Sequence, residues 1–281
     1  MRRFISILLI ILLLGLISYI AYNVFVKWHK EEIETARMQM RDELKEVEKP
    51  VIPEDKLIEV FGNVPKEIAG EEKQISYEEI TRRITAFFAY LDSQEYVIAY
   101  KLEGGTYQQF QLTIKELSSS PPLIVGETES LYTLYHNMAH LFRVLGIKRI
   151  NLIKDILENE SDIIESIMET FYQWFTINAP FNEKAMNRPS LKMLYKYSGY
   201  FLNTLSGRSY LLRRHAKVRI LTIYYCVLML DKANDSQLNA YGIDIRPHIQ
   251  LLLPDVTNQT WLINKKHFLL ELEKLDEKYQ L

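Results

Sequence analysis

The feature that most constrains this chain is an apolar segment near its N-terminus that contains no charged side chain. Phe4–Val26 is 23 residues long. As a helix rising 1.5 Å per residue it would measure roughly 34 Å, enough to cross a hydrocarbon core of about 30 Å. Tyr22 and Trp28 lie near one end, where the aromatic belts of membrane proteins are found. We therefore predict a transmembrane anchor over residues 1–26, with residues 4–26 in the lipid bilayer.

A cleaved signal peptide is the alternative interpretation of this segment. Signal peptides have a shorter apolar region, followed by two small residues around the cleavage site. The best candidate site here, Tyr19-Ile20-Ala21, has a tyrosine where a small residue is needed. Basic residues stand on both sides of the span, so the positive-inside rule gives no single answer. We expect a single-pass protein whose C-terminal body is periplasmic or otherwise extracytoplasmic, and a cytoplasmic body stays open.

Two segments of different composition separate the anchor from the body. Residues 27–49 are highly charged, lack Gly and Pro, and repeat apolar residues at three- or four-residue steps. This pattern predicts a helical stalk, which is either a solvated spacer or a weak homo-oligomerisation element. Residues 50–75 are interrupted by prolines and glycines, which indicates a linker with one short helix over Asp55–Phe61.

The remaining residues, 76–281, have helical periodicity almost throughout. Ser76 and Glu79 are spaced as a capping box before an apolar stripe. Around Gly104-Gly105 the pattern favours two short helices over a β-hairpin. Further helices are predicted over Glu129–Leu145, Arg149–Leu157, Ser161–Ile177, Ser190–Leu205, Arg208–Lys232, Pro247–Leu253 and Trp261–Tyr279. We predict an all-α, antiparallel multi-helix globular domain, and a divergent helical repeat is kept as a variant of it.

One segment of this domain is apolar on every side of the predicted helix. Ile220–Leu230 contains a single polar residue, Thr222, but eleven residues cannot cross a bilayer. A helix that is apolar all round is surrounded by other helices, so we predict a central helix here. Cys226, the only cysteine, is expected to be a buried core thiol, and no intramolecular disulfide can form.

The charge balance excludes whole classes of function. The chain has 34 Lys and Arg against 36 Asp and Glu, a formal net charge of -2. Such a chain is not built as a whole for nucleic acid or for an anionic membrane surface. A local basic group that includes Arg213, Arg214 and Lys217 remains a candidate site for an anion or an acidic partner.

Two groups of residues are candidates for metal chemistry. His136 and His140 are spaced i, i+4, so both can reach one metal ion from one helix face. Asn137 stands where zinc proteases carry their glutamate base, and a plain solvated face explains the pair equally. The acidic residues Glu158, Glu160, Asp162, Glu165 and Glu169 are interpreted as a solvated face. No Glu of this chain has a His three residues later, as di-metal helical bundles require.

The 18 tyrosines are the remaining unusual feature. Tyr195, Tyr197 and Tyr200 are dense along one predicted helix. Tyrosine is rigid and amphipathic, which suits a partner-binding groove, but it also packs well between helices. Core packing and a partner groove are therefore both open at these positions.

No glycine-rich phosphate loop, nucleophile elbow or dinucleotide fingerprint is present. We predict a membrane-anchored, non-catalytic interaction protein, a scaffold or assembly protein of the cell envelope. It would have a protein partner of unknown identity, no cofactor and no nucleic-acid ligand. The alternatives are a metal-dependent enzyme or sensor using His136 and His140, and a helical domain that binds a small molecule in a tyrosine-lined pocket.

Overall fold

The computed structural model describes residues 54–61, 75–120, 131–178, 188–202, 216–240 and 242–280. Within these ranges the protein is helical and has no strand, which confirms the all-α part of the predicted fold class. The predicted anchor and stalk, residues 1–49, lie outside them. No helix of the described ranges is both long and apolar enough to span a membrane.

Ten helices occur in the described part of the chain. They are α1 (Glu54–Phe61), α2 (Tyr77–Ser93), α3 (Glu95–Ile98), α4 (Gly105–Ser119), α5 (Leu131–Asn159), α6 (Ile164–Thr176), α7 (Leu191–Leu202), α8 (Ala216–Asp235), α9 (Arg246–Thr257) and α10 (Lys265–Tyr279). The helices predicted between Asp55 and Tyr279 are therefore present in the described ranges, with most ends shifted by a few residues; the predicted start of α8 at Arg208 lies outside these ranges.

The start of α2 is capped as the sequence predicts, but only on one side. Ser76 Oγ accepts a hydrogen bond from the backbone N–H of Glu79 at 3.1 Å. The Glu79 carboxylate is engaged by Arg82 and Arg83 on the next turn. These two ion pairs lower the pKa of Glu79, because a positive neighbour favours the charged carboxylate; the bond from Arg82 is the largest cause.

Two glycine positions divide helices where the sequence suggests breaks. Gly104 and Gly105 have φ of 73° and 76°, so the chain turns between α3 and α4, and the two-helix interpretation is confirmed over the hairpin. Gly146 has φ 68° and ψ 160°, which kinks α5. Only glycine adopts this backbone region readily. The kink separates the helices predicted to end at Leu145 and to begin at Arg149.

Helix α8 is central, as predicted. Its apolar residues between Ile220 and Leu230 are mostly buried, and Cys226 is among them. Burial raises the pKa of the Cys226 thiol to about 12, so the thiol is neutral and unreactive at ordinary pH. Helix α8 packs against α6, α7 and α9, and Tyr224 stacks on Phe268 of α10 with ring centroids 4.2 Å apart. These helices share the first hydrophobic core.

A second core joins the N-terminal helices. It is formed by side chains from α1, α2, α3, α5 and α6 and the residue before α6. Leu57, Val60 and Phe61 of α1 are buried in it. The short helix of the predicted linker is thus packed against the body.

Helix α6 contributes to both cores. Ile164 belongs to the first core, whereas Ile167 and Trp174 belong to the second. Phe171 lies within 6.4 Å, centroid to centroid, of five other aromatic rings. These rings belong to Phe87, Phe88, Phe110, Trp174 and Phe175. Phe171 therefore connects α2 and α4 to α6.

Replacing Phe171 with Ala should cost about 3 kcal/mol of unfolding free energy, because it removes a ring that packs against three helices. Phe142→Ala on α5 should change the free energy by less than about 0.5 kcal/mol, since that ring is half exposed. Chemical denaturation of the full chain in one detergent, followed by circular dichroism, compares the two variants. Equal losses would contradict the bridging role of Phe171.

Candidate functional site

The two predicted metal ligands stand on one helix but are differently placed. His136 is exposed, and His140 is partly buried. One ring nitrogen of His140, Nε2, lies 2.7 Å from the backbone carbonyl oxygen of Ser120, at the end of α4. Among the residues that the structure describes, no group of three or more His, Cys, Asp and Glu side chains could hold a metal ion. The pair therefore has no third protein ligand in this part of the chain.

The predicted basic site can be followed only at Lys217. Arg213 and Arg214 lie outside the described residues. Lys217 Nζ lies 3.4 Å from the carbonyl oxygen of Ser161 and 5.3 Å from the ring centroid of Trp261. Its charge is thus directed towards groups of the same chain.

The tyrosines predicted as groove or core are in the core. Tyr195, Tyr197 and Tyr200 on α7 are all buried. Tyr197 donates a hydrogen bond to the carbonyl oxygen of Leu117 at 3.1 Å, which ties α7 to the end of α4. In this arrangement the three rings are used for packing between helices.

The interpretation of the acidic residues as a solvated face is wrong at Glu160, which is buried. Its carboxylate accepts hydrogen bonds from the hydroxyls of Tyr96 at 2.7 Å and Tyr90 at 3.1 Å. Lys56 Nζ lies 3.1 Å from the same carboxylate and 2.7 Å from that of Asp162. Burial and the neighbouring carboxylate raise the pKa of Tyr90 to about 12. Burial lowers the pKa of Lys56, but its hydrogen bonds to both carboxylates outweigh this effect and raise it.

The interpretation is also wrong at Glu165, which is buried between α6 and α10. Its two oxygens accept hydrogen bonds from the backbone N–H groups of Ile263 and Asn264, both at 2.7 Å. Glu165 therefore holds the turn that precedes α10 from another helix. Helix α10 begins at Lys265, four residues after the predicted start at Trp261. Burial raises the pKa of Glu165 against the effect of these two bonds.

Glu169, one turn further along α6, has a similar role. Its carboxylate accepts a hydrogen bond from the Tyr225 hydroxyl at 2.8 Å. The adjacent Tyr224 is buried, and its hydroxyl has no hydrogen-bond partner among the described residues. Of the five acids interpreted as a solvated face, four (Glu160, Asp162, Glu165 and Glu169) are thus engaged by groups on other helices or loops, and these contacts hold the fold together.

One open depression of about 550 Å³ lies along the outer side of α2. It is lined by Tyr77, Glu78, Thr81, Arg82, Thr85, Ala86 and Ala89. Tyr77 is the one tyrosine in this lining, and Tyr195, Tyr197 and Tyr200 are not part of it. The depression therefore gives the small-molecule hypothesis no specific support.

The longest helix, α5, has a different character, because large apolar side chains on it face solvent. Tyr135 is 69% exposed, Phe142 50% and Ile147 71%. Tyr135, Ala139 and Phe142 follow at steps of four and three residues, so they share one helix face. Ile147 continues this exposure just beyond the kink. We call Tyr135, Ala139, Phe142 and Ile147 the α5 surface.

The exposed charges beside the α5 surface are positive. Arg143 and Lys148 are exposed, and neither forms an ion pair with a described residue. Arg149 and Lys154 are paired with Glu116 and Glu158. From residue 131 to residue 154 the sequence contains no Asp or Glu. The α5 surface thus combines exposed aromatic and aliphatic groups with positive charges that no described acidic side chain pairs with.

Glu160→Ala should destabilise the protein by about 3 kcal/mol, because it leaves the part-buried hydroxyls of Tyr90 and Tyr96 without their acceptor and removes one of the two carboxylates that pair with Lys56. Glu158→Ala is the matched control, since Glu158 is exposed and pairs only with Lys154 at 3.5 Å; its loss should cost less than about 0.5 kcal/mol. Chemical denaturation gives the unfolding free energy of both variants. A loss at Glu160→Ala as small as that at Glu158→Ala would contradict a stabilising role of the Glu160 hydrogen bonds.

Glu165 should give a pH dependence of known sign. Because its pKa in the folded state lies above the ordinary 4.5, the folded state holds this proton more tightly than the unfolded state does. Its contribution to stability is fully present below pH 4.5 and decreases as the pH rises through the raised pKa. We expect the unfolding free energy of the wild type, relative to Glu165→Gln, to be largest below pH 4.5 and to fall as the pH rises through the raised pKa. Chemical denaturation of both proteins at a series of pH values below and above 4.5 tests this expectation. A difference in unfolding free energy that grows with pH would contradict the raised pKa that burial causes.

No protein-family model matches the sequence, and no curated protein or solved structure is significantly similar to it. What the protein does must therefore be inferred from its own residues. Single apolar side chains such as Ile58 and Ile98 are exposed elsewhere, but the α5 surface groups the two most exposed large apolar residues of the described ranges, Tyr135 and Ile147, with Phe142 on one helix.

Proposed function

We propose that the protein is a membrane-anchored, non-catalytic interaction protein of the cell envelope, of the scaffold or assembly type. The α5 surface is the part through which its body makes contact. Residues 4–26 supply the anchor in this proposal, on the sequence pattern given above.

The observation that carries the proposal is the exposure of the α5 surface. Scattered single apolar residues are common on protein surfaces, but a group of them on one helix marks a binding surface. Tyr135 and Phe142 are two turns apart on one face, which is the spacing of the anchor residues of helices that bind grooves or interfaces. Aromatic anchors also contribute the largest share of binding energy at interfaces.

The use of the polar residues supports a non-catalytic role. Glu160, Glu165 and Glu169 are held by partners within the chain and are not gathered around an open cleft. Catalytic acids and bases stand in clefts where a substrate can reach them. The described polar clusters therefore favour a structural use of these side chains.

Photo-cross-linking in intact cells tests the proposal. A benzophenone amino acid replaces Phe142 in one variant and Ile98 in a second. Ile98 is the matched control because it is 58% exposed at the end of α3, outside the α5 surface. We expect ultraviolet light to produce a discrete adduct, with a protein or with a lipid, from position 142 and none above background from position 98. The Tyr135→Ser substitution should weaken the adduct, because it removes the second anchor.

Two results would contradict the proposal. One is the absence of any adduct at position 142 in a variant that is folded and membrane-bound. The other is an equal adduct yield at positions 142 and 98, which would show contact by collision and not by a dedicated surface.

A further inference from the structure

We infer that the α5 surface docks on an anionic lipid surface, so that the body lies against the bilayer. This inference rests on the proposed function, because it names the partner of the same surface. It follows from the chemistry of the exposed residues, from the charge of α5 and from the tether that precedes α1.

The exposed side chains have the composition of an interfacial helix. Such helices place aromatic and aliphatic groups at the boundary between headgroups and acyl chains, with Lys or Arg beside them. Tyr135 carries a hydroxyl on an apolar ring, a combination suited to this boundary. Arg143 follows Phe142 directly, and its long side chain can reach the headgroups while its stem stays on the apolar side.

The charge of α5 agrees with an anionic surface. The charge balance of the whole chain hides a local excess, since residues 131–154 carry four basic side chains and no acidic one. Arg143 and Lys148 have no acidic partner among the described residues. Arg143 Nε donates a hydrogen bond to the carbonyl oxygen of Ala139 at 3.3 Å, which leaves its charge unneutralised, so both charges can attract phosphate headgroups. A basic residue near an anionic bilayer contributes about a fivefold gain in binding.

A second copy of the chain fits this surface less well. In a two-fold symmetric pair the same patch faces itself, so Arg143 and Lys148 of one copy would approach those of the other. The absence of acidic residues from 131 to 154 leaves this repulsion uncompensated. The kink at Gly146 also interrupts the regular spacing of side chains that a helix of a second copy would need for packing. A lipid surface requires no such fixed spacing.

The predicted tether keeps the body near the bilayer. Residues 27–53 join the predicted anchor to α1, and at about 3.5 Å per residue they reach at most roughly 95 Å. The body is thereby held at a high effective concentration beside the membrane, so weak interfacial binding suffices.

The test uses the full chain reconstituted in vesicles of phosphatidylcholine alone or with phosphatidylglycerol. An environment-sensitive dye is attached to cysteine in Phe142→Cys, and in Ile98→Cys as the matched control. Cys226 is buried, so the wild type reports background labelling. Spin-labelled lipids that quench at headgroup and upper-chain depth report contact with the bilayer. Unfolding curves confirm that each variant is folded.

We expect lipid quenching and a blue-shifted emission at position 142 in anionic vesicles, and neither at position 98. Arg143→Glu with Lys148→Glu should lower the docked-to-undocked ratio at least about fivefold, and 1 M salt should do the same, because it shortens the screening length to about 3 Å. Three results would overturn the inference. They are no lipid quenching at position 142, quenching at position 142 equal to that at position 98, and cross-links between two copies of the chain at position 142 in place of quenching.

The in-cell cross-links separate failure of this inference from failure of the proposed function. If position 142 is not quenched by lipid but forms an adduct with another protein in cells, the lipid surface is wrong and the contact surface stands. If position 142 gives neither quenching nor an adduct, both are wrong.

Discussion

Helix α6 has to bury apolar side chains on two sides at once, and the placement of the other helices follows from that requirement. Phe171 and Trp174 face the second core, whereas Ile164 contributes to the first. The polar residues of α6 are then enclosed between helices, and a buried carboxylate is costly unless it is hydrogen-bonded. Glu165 meets this requirement by accepting bonds from the turn that precedes α10, and Glu169 by accepting a bond from Tyr225. The same helix therefore connects the two cores and holds the turn that leads into the last helix.

Helical periodicity predicts most of this fold. It identifies the central position of α8, the buried Cys226, and the break at Gly104-Gly105. It could not predict the fate of Glu160 and Glu165, because a helical wheel shows which residues share a face but not whether that face meets water or another helix. A signal was present in the number of tyrosines, since Tyr90, Tyr96 and Tyr225 supply hydroxyl donors to buried carboxylates. Their partners are distant in sequence, and no local pattern pairs them.

The α5 surface also could not be predicted from helical periodicity alone. The sequence places Phe142 with the apolar residues of its helix and His136 and His140 on the polar side. The structure covers the inward side of α5 and leaves Tyr135 and Phe142 exposed. Tyr195, Tyr197 and Tyr200, the predicted groove residues, are instead used to pack α7. The exposure of an apolar residue depends on how many other helices pack against its own helix. That number is set by the tertiary fold and not by the local sequence.

Hydrogen–deuterium exchange of the full chain, compared between its native membranes and detergent micelles, tests most directly that the α5 surface is the contact surface of the body. A bound helix opens less often, so its amides exchange more slowly. We expect slower amide exchange over residues 135–148 in membranes than in detergent. Amide exchange in α8, which is buried in both conditions, should be unchanged. Exchange over 135–148 that is the same in membranes and in detergent would contradict it.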